Sequence, residues 1–387
     1  MKLNSIQFLR ALAAILVVYE HSMIVQINYA SSWQQNFYNL NHFGCIGVDL
    51  FFVISGFIIT FIAKKYIGMG EGLYFLAKRF CRINPVYYLA SLLSLAVTWL
   101  LLQVNNIPFS NSLNKTISSA IDSLLVLPTS SDINFFSPLL NVGWTLSFEW
   151  LFYLLFSLLI ICNIQRKTFF LSAVILILIL FGRLLKPDDL RLIFLTNPIM
   201  LEFILGIIIC QLYLKNIKIS VPIGITILSI GVISYMLLIR FGFGNVWHHL
   251  AVIGGTHSFK RFLLWGVPSS CIVAGCVFLE KNAKLNRLFD NKWALLLGDA
   301  SYSIYLIHII LFNLFMLLYQ KTAFPLPADA MLWLHVIVAV AIAVAFYKIV
   351  EKPLLQRMHR STLWKTTDNY KKPLISYPSL EGKDASG

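Results

Sequence analysis

Residues 44–63, GCIGVDLFFVISGFIITFIA, contain a single charged side chain, Asp49. Twenty residues of helix at 1.5 Å each cover about 30 Å, the hydrocarbon thickness of a bilayer. A lone carboxylate in such a run marks a membrane span with a buried polar site rather than the core helix of a soluble domain. Reading outward, comparable apolar runs occupy 6–27, 84–104, 143–163, 168–185, 193–214, 219–239, 262–280, 300–320 and 330–350. The expected fold is therefore all-α, a polytopic integral membrane protein with about ten transmembrane helices in one bundle. Composition agrees, since 58% of the 387 residues are hydrophobic and 12% charged, against about 25% charged in a soluble chain.

A net charge of +14 could point to nucleic acid, but the cations are scattered between apolar runs and no basic-aromatic domain exists, so no nucleic-acid partner is expected. The same charges orient the chain. With the N-terminus inside, 23 of the 31 Lys and Arg fall in inner connections, the bias the positive-inside rule requires. Both termini are thus expected in the cytoplasm of a bacterial-type inner membrane, with membrane lipid as the surrounding partner. The bundle is expected over 1–360, followed by a polar, disordered tail over 361–387. Arg10 and His21 interrupt the first run, which reads as a retained helix and not a cleavable signal. Residues 113–127 are too short and polar to span and read as an interfacial or re-entrant helix. The six cysteines lack metal-ligand spacing and read as buried free thiols; no metal site is expected.

Ionisable residues inside a span need a partner or a task. Arg10 and His21, eleven residues apart, share one face of the first helix about 16 Å apart along its axis, Arg10 towards the inside and His21 towards the outside. A snorkelling arginine and a satisfied interior histidine is the structural alternative. Asp49 and Glu149 are expected at a depth similar to His21, where a carboxylate would orient the imidazole as a general base; a polar knot joining three helices would show the same spacing. Arg79 and Arg82, three apart before the third span, could jointly clamp phosphates, with Asn84-Pro85 fixing a helix boundary there. Tyr302, Tyr305 and His308 recur at threes on one face with Ser301. Gly68–Gly72, GMGEG, reads as a loop.

RALAAILVVYEH (Arg10–His21), GVDLFFVISGF (Gly47–Phe57), RFCRINPVYY (Arg79–Tyr88), WTLSFE (Trp144–Glu149), SYSIYLIH (Ser301–His308) and EKP (Glu351–Pro353) together resemble the membrane acyltransferase-3 family, which includes O-antigen and exopolysaccharide O-acetylases. The resemblance covers almost the whole chain. It implies an acyl-CoA donor, usually acetyl-CoA, as substrate with no permanently bound cofactor, and a glycan or lipid-linked glycan acceptor. It assigns Arg10 and His21 to the family's essential Arg and His, and Arg79 and Arg82 to its donor-associated basic motif. Members with a fused esterase-like domain complete transfer there; here transfer is expected to finish within the membrane portion.

Taken together, His21, Asp49 and Glu149 are the expected catalytic residues, and Arg10, Arg79, Arg82, Tyr302 and His308 the expected donor-binding residues. Attack on the thioester could be direct or pass through an acyl-enzyme on His21. A transporter or flippase for a polar or lipid-linked solute would also bury charges, without needing an inner phosphate clamp; a scaffold would need none of them.

Overall fold

The computed structural model describes residues 3–29, 40, 42–106, 140–217, 219–282, 285–321 and 327–360. The expected interfacial helix at 113–127 and the tail at 361–387 lie outside them. Ten helices are long and apolar enough to cross a membrane, and among the described residues there is no strand. Their main helices are α1 (Asn4–Tyr29), α2 (Ile46–Ala63), α3 (Met69–Val104), α4 (Trp144–Ile161), α5 (Lys167–Leu185), α6 (Leu201–Leu214), α7 (Val221–Phe241), α8 (Val267–Glu280), α9 (Ser301–Lys321) and α10 (Ala328–Phe346), with helical turns from Leu190 and from Ser258 completing the spans of α6 and α8. A π turn at Tyr347–Glu351 carries α10 into a last helix, Lys352–Arg360. The chain is an all-α, multi-pass membrane protein.

α1 and α2 form the centre. α1 packs against α2, α9, α10 and the short helix Lys292–Asp299. The α2–α6 seam is the closest: a Cβ on Gly56 would stand 2.2 Å from the Phe203 carbonyl, and one on Gly206 2.1 Å from that of Val53. Between transmembrane helices, small residues are what permit such backbone approach. Gly47 does the same for α1, where a Cβ would meet the Ala13 carbonyl at 2.4 Å. At the rim, α5 and α7 turn apolar side chains outward, Ile177 64% and Ile230 52% exposed. Bare apolar faces of this kind suit lipid.

Two expectations about the third span are corrected. It begins at Met69, so GMGEG opens a helix instead of forming a loop, and it runs 36 residues straight through Pro85. Proline deprives the Cys81 carbonyl of its partner, but transmembrane helices tolerate this where neighbours or a cavity satisfy the freed group, and Cys81 lies on a cavity wall. The extra turns carry Lys78, Arg79 and Arg82 on a helix inside the bundle. α2 ends differently: buried Lys167 donates from Nζ to the carbonyls of Ala63, at 3.1 Å, and Tyr66, satisfying acceptors that a helix end leaves open.

Candidate active site: two voids along one helix

Helical period places Arg10 and His21 on the same side of α1, and the structure opens a void beside each. The larger, about 510 Å³, falls within the range of small-molecule sites. Its wall along α2 runs from Ile62 to Val48, about 21 Å at helical rise. At one end it is lined by Arg10, Lys65, Lys78, Arg79 and Arg82; Glu149 is its one acidic lining residue. We call this the basic end of the bundle.

These cations are not equivalent. The Arg82 guanidinium donates to Glu351 Oε1 at 2.5 Å, with Arg82 31% exposed and Glu351 fully buried. Glu351 Oε2 also accepts from Ser303 Oγ at 2.5 Å. Arg82 is therefore neutralised in place. Arg79 has no carboxylate within ion-pair distance, and its buried Nε lacks a hydrogen-bond partner among the described residues. Arg10 likewise makes no ion pair among them. Tyr302 borders the cavity and donates from its hydroxyl to the Ile83 carbonyl at 2.9 Å. Its phenol ties α9 to the helix that carries the arginines.

The second void is about 70 Å³ and is lined by Glu20, His21, Trp247, His249 and Arg261 among others. Val48 and Tyr305 belong to both walls, so two side chains partition the larger cavity from the histidine pocket. The Tyr305 hydroxyl donates to the Val142 carbonyl at 3.0 Å and shares a hydrogen bond with Thr145 Oγ1 at 2.8 Å.

Around His21 the structure departs from expectation. Its neighbour is His308, fully buried, with His308 Nε2 3.4 Å from His21 Nδ1. His308 Nδ1 lies 2.9 Å from the Ile304 carbonyl, and His21 Nδ1 2.9 Å from that of Val17. A carbonyl only accepts, so both Nδ1 atoms carry the hydrogen. His308 Nε2 is then an acceptor facing His21, and the lone pair of His21 resides on Nε2. His308 thus stands behind the imidazole and is not among the residues that line the larger cavity.

The expected carboxylate partners are elsewhere too. Asp49 is gripped by Arg261, Nε to Oδ1 at 2.9 Å and Nη2 to Oδ2 at 2.7 Å, both side chains buried. Arg261 also packs on the Trp265 ring at 4.6 Å. The bidentate guanidinium makes Asp49 a tie between α2 and the turn before α8, and among the described residues no hydrogen bond joins Asp49 to His21. Glu149 accepts from Ser55 Oγ at 2.6 Å and Tyr153 Oη at 2.7 Å. Ser55 lies about 9 Å along α2 from Asp49, so Glu149 sits deeper than expected, in the larger cavity. The carboxylate that does share the His21 pocket is Glu20. Adjacent residues usually point apart on a helix, so the sequence carries no signal that Glu20 joins His21, nor that Arg261 reaches Asp49.

In the loop outside the spans, burial and then neighbouring His248 lower the His249 imidazole to about 4, so it is neutral near pH 7. Among the described residues no trio of His, Cys, Asp or Glu is placed to hold a metal ion.

Residues 3–349 match the acyltransferase domain family, and the chain belongs to that family. It is 32% identical over 321 residues to the exopolysaccharide production protein ExoZ of Rhizobium meliloti, covering 82% of this chain and 92% of that one. It is 25% identical over 346 residues to a putative O-acetyltransferase of Staphylococcus aureus, covering 84% of this chain and 55% of that one. It is 24% identical over 381 residues to the putative peptidoglycan O-acetyltransferase YrhL of Bacillus subtilis, covering 88% of this chain and 56% of that one. The chain thus spans little more than half of these last two relatives. No solved structure matches it.

Proposed function

With membership of that acyltransferase family as the premise, we propose that the protein transfers an acyl group, an acetyl in the simplest case, from acyl-CoA to a hydroxyl of a cell-surface glycan or its lipid-linked precursor. One observation carries the reading: two arginines that make no ion pair among the described residues, Arg10 and Arg79, sit in a long cavity that shares a wall with the His21 pocket. Guanidiniums without a direct counter-ion in a membrane interior are costly and suit an anionic ligand. Coenzyme A offers phosphates for the basic end and a slender pantetheine arm for the remaining length of α2. The name of ExoZ supports a glycan acceptor.

The donor's phosphates rest on Arg79 and Arg10, with Lys65 and Lys78 beside them. The thioester lies against Val48 and Tyr305, the two side chains the acyl group must pass. His21 Nε2 takes the proton of the acceptor hydroxyl as that oxygen attacks the thioester carbon. The carbon–sulfur bond breaks, and the imidazolium returns the proton to the departing thiolate, so that ester and free CoA thiol account for every atom. While His21 is charged, its Nδ1 hydrogen stays on the Val17 carbonyl and His308 Nε2, and the Glu20 carboxylate offsets the charge. His308 is a positioning residue in this scheme. The basic end faces the cytoplasm, where acyl-CoA resides, in agreement with the lysine and arginine bias.

The test uses full-length protein in lipid nanodiscs. Calorimetry is expected to detect CoA binding. His21→Ala should keep CoA affinity within about twofold and lower acyl transfer by about 10²- to 10⁴-fold, the usual weight of a general base. Near-normal transfer by His21→Ala would end the mechanism, and a protein that binds no CoA would end the donor assignment.

A further inference from the structure

The acyl-transfer scheme leaves the outer side of the His21 pocket unexplained. Glu20 is 2% exposed; its Oε1 accepts from His42 Nδ1 at 3.2 Å, while its buried Oε2 has no hydrogen-bond partner among the described residues. The nearby Cys45 thiol, on the same wall, is only a weak donor. A buried carboxylate oxygen without a donor is destabilising, so a group that arrives with an O–H recovers what the apo pocket lacks.

The surroundings narrow that group. His42 has φ 67°, a left-handed conformation uncommon for residues with a side chain. Its ring lies flat on Trp247, with centroids 3.9 Å apart and planes at 1°. His42 therefore joins Glu20 to the indole, and such backbone strain persists where surrounding contacts over-determine it. Trp247 is 36% exposed and lines the pocket. Arg261 gives its donors to Asp49 and to the carbonyls of Val246 and Cys45, so it offers no free anion site, and His249 is uncharged. What remains is two hydrogen-bond acceptors, Glu20 Oε2 and His21 Nε2, beside an indole.

From this geometry we infer an acceptor subsite for a neutral pyranose, in which His21 takes the hydroxyl to be acylated, Glu20 Oε2 holds the neighbouring hydroxyl, and Trp247 carries the C–H face of the ring. A phosphate or carboxylate would be repelled by Glu20. A simple alcohol would leave Glu20 unsatisfied. At about 70 Å³ the pocket admits one edge of a ring, which is all that two adjacent hydroxyls require; the rest lies over the indole. Glu20 is thus a specificity-determining residue, on the premise that His21 is the base.

The experiment uses full-length protein in nanodiscs with acetyl-CoA. Acceptor probes are methyl glucoside, galactoside and mannoside, their monodeoxy counterparts, and glucose 6-phosphate. Thiol release gives the rate and NMR the ester position. A pyranoside should be acylated, and removing the hydroxyl next to the acylated one should lower kcat/KM about 10- to 100-fold, the weight of a hydrogen bond to a charged group. In Glu20→Gln the parent sugar should lose a similar factor, and the parent-to-deoxy ratio should collapse to within about threefold. Trp247→Ala should raise acceptor KM with CoA affinity and Tm kept. A ratio preserved in Glu20→Gln, a preference for the phosphorylated sugar, or an unchanged KM in Trp247→Ala overturns the subsite. If the wild type binds CoA yet acylates no pyranoside, the sugar subsite falls and the donor reading stands. If it binds no CoA, both fall.

Discussion

Arg79 and Arg82 look interchangeable in RFCRINPVYY, yet replacing each by Gln should have opposite consequences. Arg82 is bound to Glu351, a carboxylate with no exposure. Removing the guanidinium leaves that charge with the Ser303 hydroxyl as its one hydrogen-bond partner among the described residues, and breaking a buried pair costs about 3–5 kcal/mol. Because Arg82 is 31% exposed, water recovers part of this, and the lower end, about 3 kcal/mol, applies. With an unfolding entropy of about 0.8 kcal/mol/K for 387 residues, Arg82→Gln should lower Tm by about 4 °C. CoA affinity should fall little, since the charge it removes was already neutralised. Arg79 has no carboxylate to abandon. Arg79→Gln should leave Tm within about 1 °C and weaken CoA about 10- to 100-fold, the loss of one charge-assisted contact of roughly 1.5–3 kcal/mol. The Arg79 effect should shrink at high salt. Thermal unfolding in detergent and calorimetric CoA titration of both variants decide the matter. Unchanged CoA affinity in Arg79→Gln would refute the assignment of the uncompensated cation to the donor.

The same logic applies at other sites. Asp49→Leu should destabilise by about 3–5 kcal/mol by stranding buried Arg261, and the double replacement Asp49→Leu with Arg261→Met should recover most of it; a stable double variant that had lost all transfer would return Asp49 to the chemistry. Gly206→Leu should prevent accumulation of folded protein, because its Cβ would stand 2.1 Å from the Val53 carbonyl and backbone on a packed seam cannot retreat; normal yield would contradict the α2–α6 contact. For His249 the folded imidazole, at about 4, lies below the unfolded value, so the unfolded chain binds more protons and stability is lost as the pH drops from about 6.5 to 4. His249→Gln should flatten this part of the stability profile, as followed by thermal unfolding in a pH series.

The sequence by itself determined the class and the vertical plan. Hydrophobic run length fixes the number of spans, since a bilayer demands about 20 apolar residues of each. Period 3.6 puts Arg10 and His21 on one side of α1 and Arg79 with Arg82 on one side of α3, because face and depth within a helix follow from its own geometry. Pro85 misled, because its local cost is absorbed by a cavity wall that local rules do not see. Only the tertiary structure decided which charges meet. His21 and His308 are 287 residues apart in sequence, Arg82 and Glu351 269, Asp49 and Arg261 212. Equal depth leaves the lateral position and the rotation of each helix open, and a carboxylate can face any of several neighbours. Packing at Gly47, Gly56 and Gly206 sets those rotations. It sends Asp49 to Arg261, leaves Arg79 without an ion pair among the described residues, and turns Glu20 into the pocket of His21.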